Sequence, residues 1–121
     1  MRSFVETTPL GGSARASFSP PCPDYVEDVV LAADTLARVA IPAGARFVVF
    51  SFDGDFRSKP GVVTTTLALP AATTSDGSGS ELNPAARRIP ETIKVGAADV
   101  APTHLCLRAA SACAGSLSFY G

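Results

Sequence analysis

The chain has 121 residues, 46% of them hydrophobic and 17% charged, with a formal net charge of −1. That length is one domain's worth with ample material for a core, and the near-neutral balance gives no electrostatic footprint for nucleic acid, which is excluded as a primary partner. No apolar run reaches the roughly 18 residues of a membrane span, and the opening "MRSFVETTPLGG" lacks the apolar stretch of a signal peptide, so a membrane partner is excluded too and synthesis in the cytoplasm is expected.

Ten Gly and ten Pro punctuate the chain at short intervals and leave strand-length pieces between them. That spacing predicts an all-β sandwich or barrel. Residues 1–24, rich in Ser, Thr, Pro and Gly and containing "SPPCPDY", read as an extended N-terminal arm ahead of a folded domain over 25–121.

Residues 28–41 fit a helical stripe through Val29, Ala33, Leu36 and Ala40. The favoured reading is a hairpin, with Val29 and Leu31 leading into a turn at Ala33-Asp34 and residues 36–41 leading out. Residues 46–52, "RFVVFSF", form the clearest strand, bounded by "IPAGA" and by turn chemistry at Asp53-Gly54. Phe47 and Val49 fall on one of its faces and Val48, Phe50 and Phe52 on the other, so this strand is expected to be covered on both sides.

Residues 62–69 alternate with period two and predict a half-buried strand. Residues 73–90, "TTSDGSGSELNPAARRIP", read as a long polar surface loop in which Asn83-Pro84 starts a turn. In "THLCLR", Leu105 and Leu107 point one way and His104, Cys106 and Arg108 the other, and "SLSFYG" repeats the pattern with Leu117 and Phe119. A strand running to the last residue predicts a C-terminus stitched into a sheet.

Motifs that carry chemistry are weak throughout. "DGSGS" lacks the GKS or GKT ending and the following helix of a phosphate-binding loop, and "DGD" at residues 53–55 lacks the later carboxylates of a calcium loop. His104 and Cys106 share a strand face without a second ligand pair, so no metal is expected. One His and no G-x-S-x-G leave no hydrolytic set, and the absence of Trp makes a sugar platform a poor reading. Cys22, Cys106 and Cys113 form an odd set without a C-x-x-C pair, which predicts free, mostly buried thiols. No cofactor is expected, and the low charge content predicts apolar surface that meets a partner.

Taken in order, "LARVAIPAGARFVVFSFDGDF", "DGSGSELNP" and the final "LSFYG" resemble small structural proteins of tailed bacteriophages encoded among the head genes, over residues 28–121. The resemblance implies a jelly-roll-like antiparallel β-sandwich on the capsid surface of a virion. Its implied role is that of a non-enzymatic decoration or cement protein, with the major capsid protein as partner and a dimer or trimer on the particle. Contact candidates are then Phe4, Val5, Phe18 and Tyr25 from the arm and its end, and Asp76, Glu81, Asn83, Arg87 and Arg88 from the polar loop, where the charged residues offer rim salt links. Two rival classes remain: a host-attachment module on the head or tail, present in few copies, and an enzyme that would depend on His104.

Overall fold

The computed structural model describes residues 1–4 and 20–121 in full, and residues 7–10 and 13–16 by their backbone pairing. Twelve strands and no helix are found among the described residues. Two of them, β1 (Thr7–Leu10) and β2 (Ser13–Ala16), pair antiparallel with each other within the expected N-terminal arm.

Eight strands form two antiparallel four-stranded sheets. The first has the order β3 (Val26–Leu31), β12 (Cys113–Tyr120), β5 (Phe47–Phe52) and β8 (Ala86–Arg88). The second runs β4 (Ala37–Ala40), β11 (His104–Arg108), β6 (Arg57–Gly61) and β7 (Glu81–Leu82). A separate pair, β9 (Ile93–Val95) and β10 (Ala98–Val100), turns at Gly96, whose φ of 62° lies in the left-handed region that glycine enters without a Cβ penalty.

Both sheets contribute to one core. Val29 and Leu31 of β3, Val48 and Phe50 of β5 and Leu117 and Phe119 of β12 are buried with Leu105 and Leu107 of β11 in a single hydrophobic cluster. Each set alternates along its strand, as period-two geometry requires of residues sharing a face. Phe56, just past the corner between β5 and β6, packs its ring 4.3 Å from that of Phe52 and 5.8 Å from that of Phe50.

The expected strands at 46–52, in "THLCLR" and at the C-terminus are all present. The last is stitched in as expected: Tyr120 pairs with Phe47, and Gly121 donates its N–H to the Arg2 carbonyl at 2.7 Å. The region 28–41 is strand–turn–strand rather than helix, but it is not a hairpin. β3 pairs with β12 and β4 with β11, so the chain crosses from one sheet to the other at the Ala33-Asp34 turn. There Asp34 takes a φ of 48°, its N–H bonds the Ala109 carbonyl at 2.7 Å, and its carboxylate accepts from Arg108 Nε at 3.1 Å. The corner at Asp53-Gly54 likewise changes sheets, from β5 to β6. It is fixed by a two-way exchange in which the Asp53 N–H bonds the Ala114 carbonyl and the Ala114 N–H bonds Asp53 Oδ1.

Residues 62–69 are not a strand. A turn closed by Thr65 N–H to the Val62 carbonyl, with Thr65 Oγ1 accepting from the Val62 N–H, lifts the chain off the end of β6. From there it crosses the outer face of the second sheet as a strap. Side chains bind its carbonyls in place of a strand: Arg38 Nε and Cys106 Sγ reach Thr65 O, and Arg108 Nη1 reaches Leu67 O. This strap buries Leu67 and leaves Cys106, on the face of β11 opposite Leu105 and Leu107, fully buried.

Candidate assembly surface

The N-terminal residues do not trail away from the domain. Arg2 donates its N–H to Asp24 Oδ1 at 2.9 Å, the terminal ammonium lies 3.7 Å from Asp24 Oδ2, and the Arg2 N–H bond draws the Asp24 carboxyl below the usual range. Phe4 stacks on Phe47 at 4.9 Å and meets Tyr120 edge-on at 5.4 Å. Phe47, on the face of β5 opposite the core, is thereby covered by the chain's own N-terminus. That is how a strand apolar on both faces is accommodated in a thin two-sheet domain.

Tyr25 meets Phe119 edge-on at 6.1 Å and is still 39% exposed. The Tyr120 hydroxyl donates to the Pro21 carbonyl at 2.8 Å, and burial raises the phenol pKa. Phe4 and Tyr25 are thus part of the domain's own packing, with one edge of Tyr25 left open. Val5 and Phe18 lie outside the described residues.

The segment 73–90 is more ordered than a surface loop, because its second half supplies β7 to one sheet and β8 to the other. Glu81 and Arg87 form a forked ion pair, with Nη2 to Oε2 at 2.6 Å and Nε to Oε2 at 2.9 Å, and the Glu81 carboxylate raises the Arg87 pKa. These two candidates therefore find each other across the two sheets. Asp76 accepts both the N–H and the hydroxyl of Ser78, which lowers its pKa and closes a local turn.

Asn83 has a φ of 51°, bonds both backbone groups of Phe56 and donates Nδ2 to Asp55 at 2.8 Å. It starts the expected turn and also pins it to the corner between β5 and β6. Arg88 sits on the exposed edge strand β8 opposite Phe47.

Two of the exposed large hydrophobic residues lie together on the outer face of β3, whose residues Val26 and Val30 were not among the contact candidates. Along β3, Glu27, Val29 and Leu31 alternate with Val26, Asp28 and Val30, and the second set faces outward. Val30 is 81% exposed and Val26 48% exposed. Across the sheet Val30 stands beside Ala114, Asp28 beside Ser116 and Val26 beside Ser118, with Val49 beyond, so the two valines flank one carboxylate among small side chains. β3 is also an edge strand with one row of backbone groups unpaired in the sheet. The alternation in "VEDVVL" carried this signal, which the hairpin reading of 28–41 absorbed.

The outer face of the second sheet is cationic: Arg38, Lys59, Arg57 and Arg108 all lie on it. Cys106 lies beneath the strap on that face, where burial pushes its thiol up against the opposing pull of Arg38 and Lys59. His104 contacts Thr103 Oγ1 through Nδ1 at 2.8 Å. No group of three His, Cys, Asp or Glu side chains that could hold a metal gathers among the described residues, nor is any helix there long and apolar enough to cross a membrane. All three cysteines are free, with Cys22 exposed and the other two buried. No protein-family model matches the chain, and no curated protein and no solved structure is significantly similar to it.

Proposed function

We propose that the chain is a non-enzymatic structural protein of a tailed-bacteriophage virion, a decoration or cement protein that binds the major capsid protein from outside and reinforces the shell. We read its fold as a jelly roll. The strand orders β3-β12-β5-β8 and β4-β11-β6-β7 support that reading. Among these eight strands the chain changes sheet at every step except from β6 to β7, and the last strand, β12, returns to lie between β3 and β5, as in two interlocked Greek keys.

The observation that carries the functional reading is the exposed outer face of β3, with Val30 81% exposed beside Ala114 on an open sheet edge. A cement protein works by adding buried area between capsomers, so it needs shape and apolar surface rather than a reactive site. Covering one Val side chain is worth about 1.5 to 3 kcal/mol, and a lattice repeats the gain at every copy.

The test adds purified chain to capsids of the phage that encodes it, sediments the particles and counts copies by gel densitometry. Tens to hundreds of copies per particle are expected, with Val30→Asp folding normally and losing occupancy. A few copies confined to the tail would favour the host-attachment module. No binding at all, or binding indifferent to Val30→Asp, would remove the basis of the proposal.

A further inference from the structure

We propose that the cationic outer face of the second sheet holds a binding site for a tetrahedral oxyanion, phosphate or sulfate, between Arg57, Lys59 and the segment 73–80. This site does not depend on the virion reading.

An open recess of about 680 Å³ lies where the strap leaves the sheet and the polar segment returns to it. Arg57 and Lys59 form one wall. They are two apart on β6 and so project from the same face. Thr73, Thr74 and Ser80 are also among its lining residues, and no acidic side chain is. Of the two acids next to the lining residues of 73–80 in the chain, Asp76 is turned onto Ser78 by two hydrogen bonds and Glu81 is paired with Arg87.

The four cations of this face are not equivalent. Arg38 and Arg108 are committed to the strap carbonyls, and Arg108 also to Asp34. Arg57 donates Nη1 to the Ser80 carbonyl at 3.1 Å, which aims the guanidinium at the recess and leaves its other N–H groups for a ligand. Lys59 has no ion-pair partner among the described residues. Two positive charges thus face a cavity without a carboxylate, in a chain whose net charge is −1.

Two monocations match one dianion, whereas a single carboxylate would leave one of them unpaired. A forked guanidinium, an ammonium and nearby hydroxyls are also the donors that tetrahedral oxygens accept from. "DGSGS" lacks the context of a nucleotide-binding loop, and none is needed, because the charge comes from β6 about 20 residues upstream in the chain. The recess is open to water, so a free ion should bind with a dissociation constant on the order of 1 mM.

The experiment is a ¹H–¹⁵N NMR titration of the full chain with sodium phosphate and sodium sulfate, at ionic strength held constant with sodium chloride. Saturable shifts are expected at Arg57, Lys59 and residues 73–80, weakened at least fivefold in Lys59→Met and retained in Lys59→Arg. Arg57→Gln gives an independent second variant with the same expected weakening. A parallel titration with methyl phosphate separates the sources: binding at least as tight as that of the inorganic ion marks a phosphoryl group carried on a larger molecule, and weaker binding marks the free ion. Shifts that grow linearly without saturation, that chloride reproduces, or that persist unchanged in both charge-removing variants would overturn the site.

Discussion

Asn83 and Phe56 exchange two hydrogen bonds: the Phe56 N–H donates to Asn83 Oδ1 and the Asn83 N–H to the Phe56 carbonyl, each at 2.9 Å. A side-chain amide thereby satisfies a backbone group at the corner where β5 leaves one sheet and β6 enters the other. The same residue holds a φ of 51°, a conformation that Asn tolerates better than most residues.

Asn83→Ala is expected to lower stability by about 1 to 3 kcal/mol, the cost of leaving a partly buried N–H without its partner, with a further penalty for Ala at positive φ. Urea unfolding followed by circular dichroism measures it. Asn83→Gly separates the two causes, because it relieves the backbone and still loses the bond. Equal stability of all three proteins would show that the corner is held by Phe56 packing alone.

Gly115, the third residue of β12, faces the backbone of β5. A Cβ there would lie 2.6 Å from Phe52 Cα and 2.7 Å from its ring, and the backbone of a paired strand cannot yield as a side chain does. Gly115→Ala should therefore cost about 3 kcal/mol or prevent folding, whereas Ala at the open position Ser111 should be neutral. Soluble yield and thermal midpoint of the two variants provide the comparison.

Phe4→Ala removes the ring stacked on Phe47 and edge-on to Tyr120. The loss should be about 1 to 3 kcal/mol, and Phe4→Leu should recover part of it by refilling the space. Deleting residues 1–4 should destabilise the domain by a similar amount. A truncated chain as stable as the full one would mean that these residues only rest on the sheet.

Alkaline pH should destabilise the protein. Burial pushes the Cys106 and Cys113 thiols above the ordinary 9.0 and the Tyr120 phenol above 10.0, and Asp53 and Asp55 add to the shift at Cys113. As pH rises through those ordinary values the unfolded chain ionises first, so the stability these groups contribute is complete below about pH 9 and is lost progressively above it. A thermal midpoint that stays level from pH 7 to 10.5 would contradict this. In the same pH range a thiol reagent should modify exposed Cys22 first and reach Cys106 and Cys113 only on unfolding.

Local chemistry made several elements legible in the sequence. "RFVVFSF", "THLCLR" and "SLSFYG" became β5, β11 and β12 because alternation is a property of each strand by itself, and the turns at Ala33-Asp34 and Asp53-Gly54 formed where turn residues stand. The all-β character followed from the punctuation by Gly and Pro. Period two says which residues share a face but not which strand lies alongside. A hairpin and a crossing between sheets therefore read alike over residues 28–41, and only the pairing of β3 with β12 and β4 with β11 separates them.

Residues 62–69 alternate as a strand does, yet their carbonyls bind Arg38, Cys106 and Arg108, the last two about 40 positions away in the chain. The loop at 73–90 likewise became strand only where β5 and β6 offered edges to pair with. Composition, alternation and turn chemistry are written locally and determined that the chain is built of strands. Partner choice, the burial of Cys106 and the grouping of Arg57 and Lys59 with residues 73–80 depend on long-range closure, which only the tertiary structure decided.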